Sequence, residues 1–118
     1  MRNIGYNFEK KATQWLKSFN YTILENNFYS SHGEIDIIAE KNNELHFIEV
    51  KGSSSKYVVP LTLKISKQKQ QRLINTALTY MSSQKTKQQP LFSLITFEKN
   101  KLTFYKNIFE CNYLNNEE

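Results

Sequence analysis

The order of apolar and polar positions divides the chain into two helical segments and five strands. From about residue 3 to residue 18, apolar residues recur at helical spacing and cover one arc about 120° wide. Helical spacing returns after Ser66, a residue type favoured at helix N-caps, and continues to about Ser83. The predicted order is α-β-β-β-α-β-β, a mixed sheet flanked by helices. Runs rich in β-forming residues predict the strands at about 21–29, 34–39, 45–51, 91–97 and 102–105.

The second and third predicted strands form a hairpin that carries several charged residues. Its most symmetric turn is centred on Asn42-Asn43, because asparagine tolerates the left-handed backbone that tight hairpin turns need. In that register Asp36 lies directly across from Glu49, and Glu34 lies across from Lys51. Directly opposed Cβ atoms are about 4.5–5.5 Å apart. The register therefore places carboxylates and an ammonium on one patch of one sheet face.

Charged residues inside strands need a physical reason, because strand interiors are depleted in them. Two opposed carboxylates repel each other, and a divalent cation would remove that conflict. Mg²⁺ takes oxygen ligands and is commonly held by one or two carboxylates together with substrate phosphate oxygens. The alternative is an exposed hairpin face that carries charge for solubility. The polar segment Ser53 to Pro60 follows directly, and we expect it to form a loop that touches a substrate.

Charged residues on the two helices each have two interpretations. Glu9 falls just outside the apolar arc of the first helix, so it lies either at the rim of the buried face or in solvent. The start of the second helix is basic, which indicates either a solvated face or contacts to phosphates. Lys69 is the strongest phosphate candidate because it lies one helical turn before the apolar Leu73. The basic residues are Lys64, Lys67, Lys69 and Arg72.

Composition and charge restrict the class of protein. A chain of 118 residues with 39% hydrophobic residues suits one globular domain, which we expect at 1–107 with a tail at 108–118. The net charge of +5 favours a polyanionic partner. Cys111 is the only cysteine, which excludes an internal disulfide and fits a reducing compartment. No apolar run is long enough to span a bilayer or resembles a signal peptide, so we expect a cytoplasmic protein without a membrane partner.

Three motifs together make the chain resemble a known superfamily. Glu9 on the first helix, Gly33-Glu34-Ile35-Asp36 and Glu49-Val50-Lys51 resemble the PD-(D/E)XK nucleases, which have the restriction-endonuclease-like fold. More narrowly, these strand motifs and the run from Ile65-Ser66 through Lys69 to Arg72-Leu73 are similar to the YraN-like family of small bacterial proteins. The resemblance covers about Gly5 to Phe97. It implies an α/β fold of three layers, in which helices flank a mixed sheet.

The resemblance also implies a role for each matching residue. Asp36 and Glu49 would bind Mg²⁺ or Mn²⁺, together with the backbone carbonyl of Val50. Glu9 would act through water or the metal, and Lys51 would orient or activate the attacking water. The implied function is metal-dependent hydrolysis of phosphodiester bonds in DNA by an endonuclease or exonuclease. Branched or processed DNA is the expected substrate, as for the resolvases of this fold.

Two departures from the family pattern bear on the substrate, and other functions stay open. Phe8 stands where the family usually has glycine before the helix acid, so we expect its ring to crowd a substrate backbone. The segment after Lys51, Gly52-Ser-Ser-Ser-Lys-Tyr, also differs from the family pattern. One alternative is a nucleic-acid-binding module with a weak or vestigial site, and another is a structural protein with exposed, separated acids. Cutting two strands usually requires two sites, so a homodimer also stays open.

Overall fold

Helices and strands follow one another in the order predicted from the sequence. The computed structural model describes residues 4–53 and 65–109, and these ranges contain two helices and five strands. The helices are α1 (Ile4–Ser18) and α2 (Lys67–Gln84). The strands are β1 (Thr22–Ser30), β2 (Gly33–Lys41), β3 (Glu44–Ser53), β4 (Gln89–Glu98) and β5 (Lys101–Phe109).

The five strands form one mixed sheet in the spatial order β1-β2-β3-β4-β5. All neighbouring pairs are antiparallel except β3 and β4, which run parallel. Parallel neighbours cannot be joined by a tight turn, so the chain needs a long crossover between them. The connection that contains α2 supplies that crossover. The protein therefore has a mixed α/β fold, as the sequence predicts.

The two helices cover opposite faces of the sheet. Successive residues of β3 alternate between the faces, so Phe47 packs with Leu73 and Ala77 of α2. Ile48 packs on the other face with Leu16 of α1. Burial on both faces explains why the central strands are apolar on both sides. In the described ranges, neither helix is long and apolar enough to cross a membrane.

The hairpin between β2 and β3 has the predicted register. Asn42 and Asn43 have φ angles of 53° and 66°, the left-handed conformation expected at both centres of a tight hairpin turn. The backbone pairing runs from Lys41↔Glu44 to Ile37↔Ile48. It ends there, one residue before Asp36 and Glu49. The predicted register is confirmed, and the two acids lie where the paired ladder stops.

β5 extends further than its predicted end at residue 105. It continues to Phe109 through an irregularity at Asn107, which has a φ angle of 59°. The Asn107 N–H donates to Ser93 Oγ at 3.2 Å instead of joining the strand ladder. Phe109 then stacks on Phe92, with ring centroids 4.8 Å apart. The first two residues of the predicted tail at 108–118 therefore belong to the sheet, and the rest lies outside the described residues.

Candidate functional site

A cleft of about 340 Å³ opens where the ladder between β2 and β3 ends. It lies between the start of β2, the end of β3 and the first two turns of α2. These elements meet because β2 and β3 share the hairpin while α2 packs on the same sheet face. The cleft is lined by Gly33, Glu34, Asp36, Glu49, Lys51, Lys69, Arg72 and Leu73.

Asp36 is the most buried acid of the cleft, with 7% of its surface exposed. Its Oδ2 accepts a hydrogen bond of 2.8 Å from the backbone N–H of Val50. This bond gives the N–H a partner at a point where the strand ladder has ended. Burial raises the pKa of Asp36 from 3.8 to about 7, and the charge of Glu49 contributes in the same direction. The Val50 N–H lowers this pKa but is outweighed.

Two lysine ammonium groups contact the same carboxylate oxygen of Glu49. Its Oε2 lies 2.8 Å from Lys69 Nζ and 3.3 Å from Lys51 Nζ. Lys69 is brought to this position by the start of α2, where its backbone N–H donates to the N-cap Ser66 Oγ at 3.1 Å. Burial alone lowers the pKa of Lys69, but the hydrogen bond and charge of Glu49 outweigh burial and raise it. Lys69 is therefore a cation at neutral pH.

Glu9 and Val50 have a looser relation to the cleft. Glu9 is half-buried on α1, and its charge is among those that raise the pKa of Asp36. It lies near the acids but does not line the cleft in the described part of the chain. Val50 contacts Asp36 through its N–H, so a role for its carbonyl stays a prediction.

Phe8 does not line the cleft in the described part of the chain, and its effect on a substrate backbone stays a prediction. Its ring packs with the apolar residues on the α1 face and stacks on Phe97, with ring centroids 5.1 Å apart. It also covers Gly52, where an added Cβ would lie 2.0 Å from ring atoms of Phe8. A large residue at position 8 thus accompanies the smallest residue at position 52.

The remaining predicted residues divide between the surface and the undescribed part of the chain. Lys67 is exposed on α2 and does not line the cleft. Lys64 and the predicted substrate loop at 54–60 lie outside the described residues. Glu34, which the hairpin register placed on the same patch, lines the cleft, although sequence reasoning assigned it no role in the site.

The acids of the cleft fit a hard divalent cation. The described residues contain no group of three or more His, Cys, Asp and Glu side chains arranged to hold a metal. Mg²⁺ does not require a third acid, because it retains waters and accepts phosphate oxygens as ligands. The available donors are carboxylate oxygens of Asp36 and Glu49, the type that Mg²⁺ and Mn²⁺ prefer. Burial, followed by the charge of Glu49, raises the pKa of Asp36, and a cation beside the carboxylate would favour its charged form.

Burial of the acids contradicts the structural-protein alternative, which predicted exposed and separated carboxylates. Asp36 is 7% exposed, and the side chain of Glu49 is 12% exposed. Both acids line the same cleft. Asp36 and Glu49 are therefore not charges on a solvated surface.

Comparison with known proteins gives one consistent result. Residues 8–98 match the family model described as "Uncharacterised protein family UPF0102". A UPF0102 protein of Campylobacter hominis is 38% identical over 104 residues, which cover 88% of this chain and 91% of that protein. A UPF0102 protein of Persephonella marina is 36% identical over 110 residues, covering 92% and 95%. One of Sulfurihydrogenibium sp. is 33% identical over 106 residues, covering 89% and 92%.

Proposed function

The chain belongs to the UPF0102 family, and on that premise we propose that its cleft is the active site of a metal-dependent nuclease acting on DNA. The observation that carries this proposal is the pair of acids in the cleft, the buried Asp36 and the partly buried Glu49, with lysine ammonium groups beside them. A strongly shifted acid in a cleft is typical of functional sites. The family description names no activity, so the proposal depends on this chemistry.

We extend the proposal to the superfamily. The mixed α/β fold would be of the restriction-endonuclease-like type, and the chain would belong to the YraN-like branch of the PD-(D/E)XK nucleases. Supporting this, the acid on α1, the Gly33–Asp36 run and the Glu49–Lys51 run fit that pattern. A helix on each face of the sheet agrees with the three layers of that fold.

Each residue of the cleft has a distinct task in this proposal. Asp36 and Glu49, with the Val50 carbonyl, would hold Mg²⁺ or Mn²⁺. When bound, such an ion polarises a phosphoryl oxygen and lowers the pKa of a bound water. Lys51, which contacts Glu49 and whose side chain is 44% exposed, would orient the attacking water and offset phosphate charge. Arg72 presents a planar guanidinium that pairs with phosphate oxygens.

The lysine contacts also favour one competing function, a nucleic-acid-binding module without cleavage. In that case Lys51 and Lys69 would neutralise Glu49 and bind phosphates, with no role for a metal. The buried Asp36 argues against this alternative, because phosphate binding gives no reason to retain a carboxyl with a raised pKa. The two functions differ in whether the acids are needed for cleavage or only for charge balance.

The test is cleavage of linear, single-stranded and branched DNA in Mg²⁺, Mn²⁺ or chelator. We expect metal-dependent cleavage by the native protein, reduced at least about 100-fold in Asp36→Ala and Glu49→Ala, since both would lose a metal ligand. Glu25→Gln, which changes an exposed acid on β1, is the control and should cleave normally. If native protein and both alanine variants cleave every substrate equally poorly, the nuclease proposal is wrong. Retained DNA binding would then favour the binding module.

A further inference from the structure

We propose that Lys69 is a positioning residue that competes with divalent cations for Glu49. When a cation binds this carboxylate, the Lys69 side chain moves and its ammonium pairs with a DNA phosphate instead. This inference rests on the proposed nuclease function. It makes the first turn of α2 a link between metal binding and DNA binding. A lysine that only attracts DNA would not affect metal binding, whereas Lys69 would affect both.

The contact with Glu49 is the first support. Lys69 Nζ lies 2.8 Å from Glu49 Oε2, closer than Lys51 Nζ at 3.3 Å from the same oxygen. The side chains of Lys69 and Glu49 are 30% and 12% exposed. Charge-assisted bonds are strong at this length, and partial burial reduces screening by solvent. The pair is therefore strong enough to compete with another cation.

The helix start holds the backbone of Lys69 while its side chain can move. Ser66 caps the helix by accepting the Lys69 N–H, and the Gln70 N–H donates to the Ser66 carbonyl at 2.9 Å. Gln70 Nε2 also donates to the Ile65 carbonyl at 3.2 Å. Lysine has a flexible four-carbon stem beyond this fixed backbone. The ammonium can therefore leave Glu49 without any change in the fold.

The second support is the charge balance around Glu49. Its Oε2 already contacts two ammonium groups, which repel each other. A divalent cation on the same carboxylate adds more positive charge at close range, so Lys69 opposes its binding. Arg72 lies three residues further on α2 and lines the same cleft, so a phosphate bound by Arg72 is within reach of Lys69. Lys69 should therefore weaken metal binding without DNA and strengthen DNA binding.

The test is calorimetric titration of Mn²⁺ into the full chain, without DNA and at fixed pH and salt. Lys69→Met keeps the apolar stem but removes the charge, so we expect Mn²⁺ affinity to rise about threefold or more. The same variant should also bind DNA more weakly, and the loss should be larger in saturating Mn²⁺, where the native Lys69 ammonium has left Glu49, than in chelator. Lys69→Arg retains a cation and should behave as the native protein in both measurements. Lys87→Met is the control and should leave both measurements unchanged, because Lys87 is exposed, does not line the cleft and lies at the other end of the sheet.

The outcomes separate this inference from the proposed function. If Lys69→Met binds Mn²⁺ no more tightly than the native protein, while Asp36→Asn loses binding, the metal site stands and the role of Lys69 is wrong. A rise in affinity for Lys69→Arg equal to that for Lys69→Met also overturns it, because charge would not be the cause. If neither the native protein nor Lys69→Met binds Mn²⁺, the metal site and the inference fail together.

Discussion

At the scale of single residues, the charged form of the Asp36 carboxyl lowers the stability of the folded protein. Its surroundings disfavour the charged form, as the rise in its pKa from 3.8 to about 7 shows. The folded protein therefore holds this proton more tightly than the unfolded chain. The proton on Asp36 therefore stabilises the folded protein. This stabilisation is fully present below the unfolded pKa of 3.8 and is lost as pH rises through the folded pKa of about 7. Functional residues commonly reduce stability in this way.

Asp36→Asn should remove the loss of folding stability that accompanies ionisation of Asp36. The amide carries no charge and retains an oxygen that can accept the Val50 N–H. In chelator at about pH 8, we expect the variant to be more stable than the native protein by on the order of 4 kcal/mol, from 1.36 kcal/mol per pKa unit. The difference should shrink toward about pH 4. Urea unfolding of both proteins across this pH range measures it.

The control for this measurement is Glu25→Gln, the same acid-to-amide change at an exposed position on β1. Its unfolding free energy should differ little from that of the native protein at each pH. Equal stabilities of native protein and Asp36→Asn at the alkaline end of the range would contradict the account of Asp36. Such a result would mean that burial and the charge of Glu49 do not disfavour its charged form.

At the scale of elements, local turn chemistry made the hairpin predictable. The two asparagines at its turn determine the register, and the register places Asp36 and Glu49 together. Periodicity does not show where the ladder ends, or that the Asp36 carboxylate accepts the Val50 N–H at that point. The contact of Lys69 with Glu49 was equally hidden, since it depends on how α2 packs after a crossover.

β5 shows the same limit in a strand. The polar residues after residue 105 suggested the end of the strand. The structure instead has an irregularity at Asn107, whose N–H bonds to the Ser93 hydroxyl on β4. The apolar Phe109 then returns to the core. Such a bulge depends on a partner in the neighbouring strand, so the pattern within one segment cannot reveal it.

The contact between Phe8 and Gly52 joins α1 to the end of β3, and it yields a prediction for these elements. Gly52→Ala should destabilise the protein by about 1–3 kcal/mol, because the new methyl group would overlap the Phe8 ring held against Phe97. Phe8→Ala alone should also destabilise it through lost packing. Combining the two should be less than additive by about 1 kcal/mol, since no ring would remain to overlap. Denaturant unfolding of all four proteins measures this coupling.

A second pair of substitutions serves as the control for this cycle. Gly33 is also next to the cleft, but an added Cβ there would approach Thr76 and Arg72 rather than Phe8. The effects of Gly33→Ala and Phe8→Ala should therefore add. Additivity of Gly52→Ala with Phe8→Ala as well would contradict a direct contact between α1 and the end of β3.

At the scale of the whole molecule, charge and architecture make different predictions about DNA binding. The net charge of +5 attracts a polyanion to any basic part of the surface. The architecture instead places lysines and an arginine in one cleft at the end of β2 and β3. Lys87 lies at the other end of the sheet, just before Gln89, which pairs with Glu44 beside the hairpin turn. Arg72 and Lys87 are both exposed cations, so they distinguish the two possibilities.

The salt dependence of DNA binding in chelator decides between them. If DNA binds in the cleft, Arg72→Ala should weaken binding similarly for all sequences and flatten the slope of log K against log salt by about one. Lys87→Ala should leave the slope nearly unchanged, because its side chain would make no phosphate contact. Equal flattening by both substitutions would mean that net charge alone attracts DNA. The cleft would then not be the DNA-binding site, even if it binds a metal.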